Sequence, residues 1–146
     1  MHQFTYKEII IKHVMNDEYI MARKIITEVI IRVSYKKNMH YPLIAKAINY
    51  IDENYNKKIK LGEVAEHVGF SKEYMCRIFK DSMGVSYNDY LNFVRAGRAE
   101  QMLLQTDMTV KSISEGVGLV DPGYFSRIFK KFNGCTPNEF RKDFTN

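Results

Sequence analysis

The sequence holds little that would staple, span or break a chain. Of its 146 residues two are cysteine and three are proline. Cys76 and Cys135 lack metal-ligand spacing, and His2, His13, His40 and His67 do not supply it, so no metal and no cofactor are expected. The cysteines read as free thiols of a reducing cytoplasm. No apolar run reaches the ~18 residues that cross a membrane, and Met1-His2-Gln3-Phe4-Thr5 is not the basic-then-apolar opening of a secretory signal. Strict alternation of apolar and polar residues is almost absent, which disfavours strands. There is no nucleophile elbow, phosphate loop or HExxH pattern, so no catalytic residue is assigned and the chain is not expected to be an enzyme.

What remains is helical. Hydrophobic residues make up 45% of the chain and charged residues 27%, the mixture of a globular protein. The formal net charge of +5 suits a polyanionic partner without identifying one. Tyr6 to Val14 carries charges at helical spacing around Ile9-Ile10-Ile11. Asp17 to Tyr35 repeats apolar residues at Ala22, Ile25, Ile26, Val29, Ile30 and Val33, a single helix face. That face either pairs with its copy in a second chain, giving a homodimer through residues 17–35, or packs on the same chain. Pro42 suits the first turn of another helix, where its missing N–H loses nothing. That helix should run to about Asn54 with Ile44, Ala47, Ile48 and Ile51 on one side. Residues 1–41 are therefore an N-terminal helical pair, and residues 42–146 a second, all-helical unit.

The second unit repeats internally. Leu61-Gly-Glu-Val-Ala-Glu-His-Val-Gly-Phe70 aligns with Val110-Lys-Ser-Ile-Ser-Glu-Gly-Val-Gly-Leu119, and Arg77-Ile-Phe-Lys80 recurs as Arg127-Ile-Phe-Lys130. Gly84 then pairs with Gly134, Ser86 with Thr136 and Tyr90 with Phe140, with one extra residue in the second copy near Val120. Each shared position has a physical reason. Ala65 and Ser114 are small where two steeply crossed helices approach. Gly69 and Gly118 can adopt the left-handed conformation that ends a helix abruptly. Ser71 and Asp121 are good N-caps, and Pro122 suits the first helical position. Met75, Ile78 and Phe79, like Phe125, Ile128 and Phe129, return to the core. This is a helix-turn-helix, present twice, at about 61–82 and 110–133. Ser86-Tyr-Asn-Asp89 resembles a capping box and opens a spacer helix over about 87–105. Some twenty residues at ~1.5 Å each span roughly 30 Å, close to the ~34 Å between successive major grooves on one side of DNA. Its Leu91, Val94, Met102 and Leu103 also make it a core helix, with Ala96, Gly97 and Ala99 allowing close packing.

Residues 42 to 144 resemble the DNA-binding domain of the AraC/XylS regulators. The likeness is strongest over Asp121-Pro-Gly-Tyr-Phe-Ser-Arg-Ile-Phe-Lys-Lys-Phe-Asn-Gly-Cys-Thr-Pro-Asn-Glu-Phe-Arg141, with Tyr90-Leu91, Arg95 and Ala99 matching the family's linker helix. Leu119 stands where an aromatic is usual, Ser114 where alanine is usual, and Ala96 replaces a larger apolar residue. The resemblance implies seven helices, double-stranded DNA as partner, RNA polymerase as a second partner, and a cytoplasmic transcription regulator, by family habit an activator. It places Glu73, Cys76 and Arg77 toward base edges, and Gly123, Ser126 and Arg127 at the matching positions of the second copy. Arg77 has the geometry for a bidentate contact to guanine, and Glu73 could accept from cytosine or simply favour its helix N-terminus. Lys72, Lys80, Lys130 and Lys131 suit phosphates, as does the capped start at Thr136. Because Pro122 and Gly123 offer no side-chain hydrogen bonds, the second copy should read fewer bases. A protein-interaction module or anti-activator with the same fold is the alternative.

Overall fold

The computed structural model describes residues 40–144. The helices expected over residues 6–14 and 17–35, and the dimer surface placed on the latter, lie outside them. Among the described residues every regular element is a helix: α1 (Tyr41–Asn54), α2 (Leu61–Val68), α3 (Lys72–Met83), α4 (Tyr87–Gln105), α5 (Val110–Gly116), α6 (Pro122–Asn133) and α7 (Pro137–Phe144). None of these is long and apolar enough to cross a membrane.

Local chemistry sets the boundaries. Pro42 lies in the first turn of α1. The hydroxyls of Ser71, Ser86 and Thr109 accept from the Tyr74, Asp89 and Ser112 amides and start α3, α4 and α5. The Asp121 carboxylate accepts from the Tyr124 amide at 2.8 Å and starts α6. Such caps satisfy donors that a helix start leaves without partners. Gly69 (φ 83°) and Gly118 (φ 81°) take the left-handed turn between the crossed helices of each copy, as the repeat predicts.

The helices enclose two adjoining cores. The first gathers Ile44, Ile51, Val64, Met75 and Phe79 from α1–α3 around Leu91 and Val94 of α4. The second gathers Ile113, Val117, Phe125, Phe129 and Phe140 around Ala96, Ala99 and Leu103 of the same helix. One continuous rod thus carries both helix-turn-helix units. Its 19 residues span roughly 28 Å. Ala65 and Ser114 are buried at the helix crossings. The serine departs from the usual alanine at little cost, because its hydroxyl donates to the carbonyl of buried Leu119.

Candidate nucleic-acid interface

Helix α3 has two faces. Met75, Ile78 and Phe79 are buried, and Lys72, Glu73, Cys76, Arg77 and Lys80 are exposed. The exposed set repeats at helical spacing and forms a single stripe. Helix α6 copies the design. Phe125, Ile128 and Phe129 are buried, Gly123, Arg127, Lys130 and Lys131 are exposed, and Ser126 is half-buried. The two stripes differ in charge. In α3, Lys72, Arg77 and Lys80 stand against Glu73 and Asp81, whereas α6 carries Arg127, Lys130 and Lys131 without an acid. The acids near α6 lie outside the helix, at its Asp121 cap and at Asp89 of α4. Cys76 is an exposed thiol and Cys135 a half-buried one.

Both arginines lie over tyrosines, a feature the sequence reading did not single out. The Arg77 guanidinium sits 5.5 Å from the Tyr74 ring centroid, and that of Arg127 sits 5.9 Å from Tyr124. These separations fall within cation–π range. Each tyrosine is in turn held by groups outside its helix. The Tyr74 hydroxyl lies 3.1 Å from His40 Nδ1, and its ring stacks on Phe70 with centroids 5.0 Å apart. The Tyr124 hydroxyl accepts from Asn92 Nδ2 of α4 at 3.0 Å. A guanidinium laid against a ring loses rotamer freedom while keeping its N–H edge available. A tyrosine three residues before the arginine in both copies was the available signal.

Two sequence expectations meet complications. Lys131 Nζ lies 3.0 Å from Asp89 Oδ1, an ion pair between α6 and the start of α4. The Lys131 ammonium, and then the Ser86 hydroxyl, hold the Asp89 carboxyl below the usual carboxylate range. Asp89 therefore does not close the reciprocal capping box suggested by Ser86-Tyr-Asn-Asp89. Ser86 Oγ accepts from the Asp89 amide and donates to its carboxylate, and the other carboxylate oxygen takes Lys131. A phosphate at Lys131 has to compete with Asp89, paired at 3.0 Å, whereas Lys130 feels the Glu139 carboxylate only through its field. At the start of α7 the capping box is complete. The Thr136 amide donates to Glu139 Oε2 at 2.8 Å, and the Glu139 amide donates to Thr136 Oγ1 at 3.3 Å. The Thr136 amide, then its hydroxyl, hold the Glu139 carboxyl below its ordinary range. Two amides that could have faced a phosphate are thus occupied, and a carboxylate stands beside them.

Positioning of the stripes depends on α4 and on the turn after α1. Tyr87, at the first position of α4, donates its hydroxyl to the Ile59 carbonyl at 3.1 Å and packs edge-on against Phe79. Burial pushes the Tyr87 hydroxyl up to about 12, against a smaller opposing pull from Arg95. Arg95 is itself buried, and desolvation lowers its value.

Residues 64–143 match the profile of a family described as a helix-turn-helix domain. The lactose operon transcription activator of Staphylococcus xylosus is 33% identical over 102 residues, covering 70% of this chain and 37% of that protein. The chain thus spans little more than a third of that relative's length. Among solved structures, the C-terminal domain of AraT, a response regulator from Geobacillus stearothermophilus, superposes with a TM-score of 0.68 at 32% identity, covering 73% of this chain and 88% of that one. A transcriptional regulator with an AraC-type DNA-binding domain from Chromobacterium violaceum superposes with a TM-score of 0.67 at 26% identity, covering 72% and 94%.

Proposed function

The chain belongs to the AraC/XylS family of helix-turn-helix regulators, and on that premise we propose that it binds double-stranded DNA sequence-specifically through α3 and α6, set in successive major grooves. The observation that carries this reading is the repeated stripe. Two capped helices turn Arg77 and Arg127 outward, each on a tyrosine, and both are seated on one rod, α3 through Phe79 against Tyr87 and Tyr90 and α6 through Asp89 and Asn92. Arg77 reads guanine, with Glu73 and Cys76 beside it. Arg127 does the same in the second box, where Gly123 and Ser126 contribute little hydrogen bonding. Lys72, Lys80 and Lys130 hold phosphates, and the occupied amides at Thr136 and the Asp89 partner of Lys131 make those two positions secondary.

The domain reading follows. Residues 42–146 are the DNA-binding unit, and residues 1–41 are a linker, a dimerisation segment or a remnant of a regulatory domain. The relative from Staphylococcus xylosus is an activator by name, and activation through contact with RNA polymerase in the cytoplasm is the corresponding proposal here. The test is selection from a pool of random duplexes, followed by a salt titration of the winners. Enrichment of an asymmetric site with two boxes about ten base pairs apart supports the reading. Salt-sensitive binding with no enriched sequence rejects sequence-specific recognition.

A further inference from the structure

The turn after α1 touches both helix-turn-helix units at once. Arg95, in the middle of α4 and only 8% exposed, donates through Nε to the Tyr55 carbonyl at 2.7 Å and through a terminal nitrogen to the Lys57 carbonyl at 2.8 Å. The Arg98 guanidinium lies 5.2 Å from the centre of the Tyr55 ring. From the other side, Gly118 of the second unit's turn presses on the same segment. A Cβ there would stand 3.0 Å from the Tyr55 carbonyl oxygen and 3.1 Å from the Asn56 carbonyl, at a φ of +81°. Tyr55 also packs against both hydrophobic cores.

This junction ties the chain of the first unit to the turn of the second. The cap and the glycine turn of the second unit come from its own residues, while its core is completed by the C-terminal half of α4 and by Tyr55, and α6 is also tied to Asp89 and Asn92 near the start of α4. The Tyr55–Lys57 segment belongs to the first unit by chain order, yet it seats against the turn that precedes α6. To the contacts made through α4 it adds a second connection, held by a planar guanidinium on two carbonyls and by backbone against backbone, which resists displacement of one unit against the other.

We infer that Arg95, Gly118 and Tyr55 are positioning residues that fix the separation and rotation of α3 relative to α6, and so set which spacing between DNA boxes the protein accepts. The inference rests on the proposal that both helices read DNA. Each base pair inserted between two boxes moves and rotates one box relative to the other. A braced pair of helices must then bend the DNA or lose one box.

The experiment uses the full chain and a series of duplexes carrying the two selected boxes one to three base pairs closer or farther apart. Arg95→Lys retains a cation and removes the fork on the two carbonyls. Gly118→Ala forces the junction apart. Arg98→Leu, a milder change, removes only the cation over Tyr55. Thermal melts confirm that each variant is folded at the assay temperature, and Arg98→Leu keeps the test available if either of the others is not. For the wild type, a shift of one base pair should weaken binding about tenfold, on the scale of one mismatched position. For the folded variants the penalty should shrink several-fold, with base preference inside each box unchanged. Folded variants that keep the wild-type spacing profile overturn the inference while leaving DNA recognition intact. A wild type that enriches no two-box site overturns the underlying reading, and the inference with it.

Discussion

Replacing Tyr87 with phenylalanine should stabilise or destabilise the protein depending on pH, with a crossing point set by the structure. At neutral pH the hydroxyl donates to the Ile59 carbonyl in a buried setting. Its removal leaves that acceptor without its partner and should cost about 1 kcal/mol. At alkaline pH the sign reverses. In the unfolded chain the phenol ionises near 10, whereas burial in the folded protein pushes it to about 12. A raised folded value means that the contribution is fully present below pH 10 and is lost as pH climbs through 12. Each unit of displacement corresponds to about 1.4 kcal/mol, so the wild type should lose roughly 2–3 kcal/mol over that window. The phenylalanine variant has no proton to lose there. Wild type should therefore be the more stable form up to about pH 10, and the variant the more stable above about pH 11. Denaturant melts of both proteins at half-unit steps measure the difference directly, since lysine and arginine titrations are common to the two. Parallel stability curves across pH 9–12 would refute the buried, proton-holding role of Tyr87.

Other consequences concern the interface and its supports. Lys130→Ala should lower the slope of log affinity against log salt by about 0.9, the share of one phosphate, in a filter-binding or anisotropy titration. Lys131→Ala should lower it by less, because Asp89 already competes for that ammonium; equal slopes for the two variants would contradict this. Asp121→Ala should destabilise by about 0.5–2 kcal/mol in thermal or chemical melts through loss of the α6 cap, with Asp121→Asn recovering most of it. Phe129→Ala should cost about 3–5 kcal/mol, since the ring is fully buried between Phe125 and Phe140.

Helix positions were legible where a residue type has one dominant local use. Gly69 and Gly118 announced the turns, Ser71 and Asp121 the starts of α3 and α6, and the recurrence of Arg-Ile-Phe-Lys the alignment of the two copies. The outward stripe on each helix followed from which residues the core claims. The junction was not legible, because its partners are far apart in sequence. Arg95 stood out only as a match to the family's linker helix, and nothing near it marks Tyr55 and Lys57 as acceptors forty and thirty-eight residues away. Asp89 illustrates the same limit. Its place in a capping box was the local expectation, but its carboxylate takes Lys131 forty-two residues on instead, which depends on how α6 docks. Gly118 was read only as a helix stop, yet the close approach of the Tyr55–Asn56 backbone gives it a second reason to lack a side chain. Tyr74 and Tyr124 could have been found, since both copies place tyrosine three residues before arginine.

In the proposed complex α3 and α6 each read their own box through one outward arginine. Duplex selection run in parallel on the wild type, Arg77→Ala and Arg127→Ala tests it most directly. Each arginine variant should lose preference at a guanine in one box only, with affinity for the wild-type site down by about 1–3 kcal/mol. Identical enriched sites from all three proteins would contradict it.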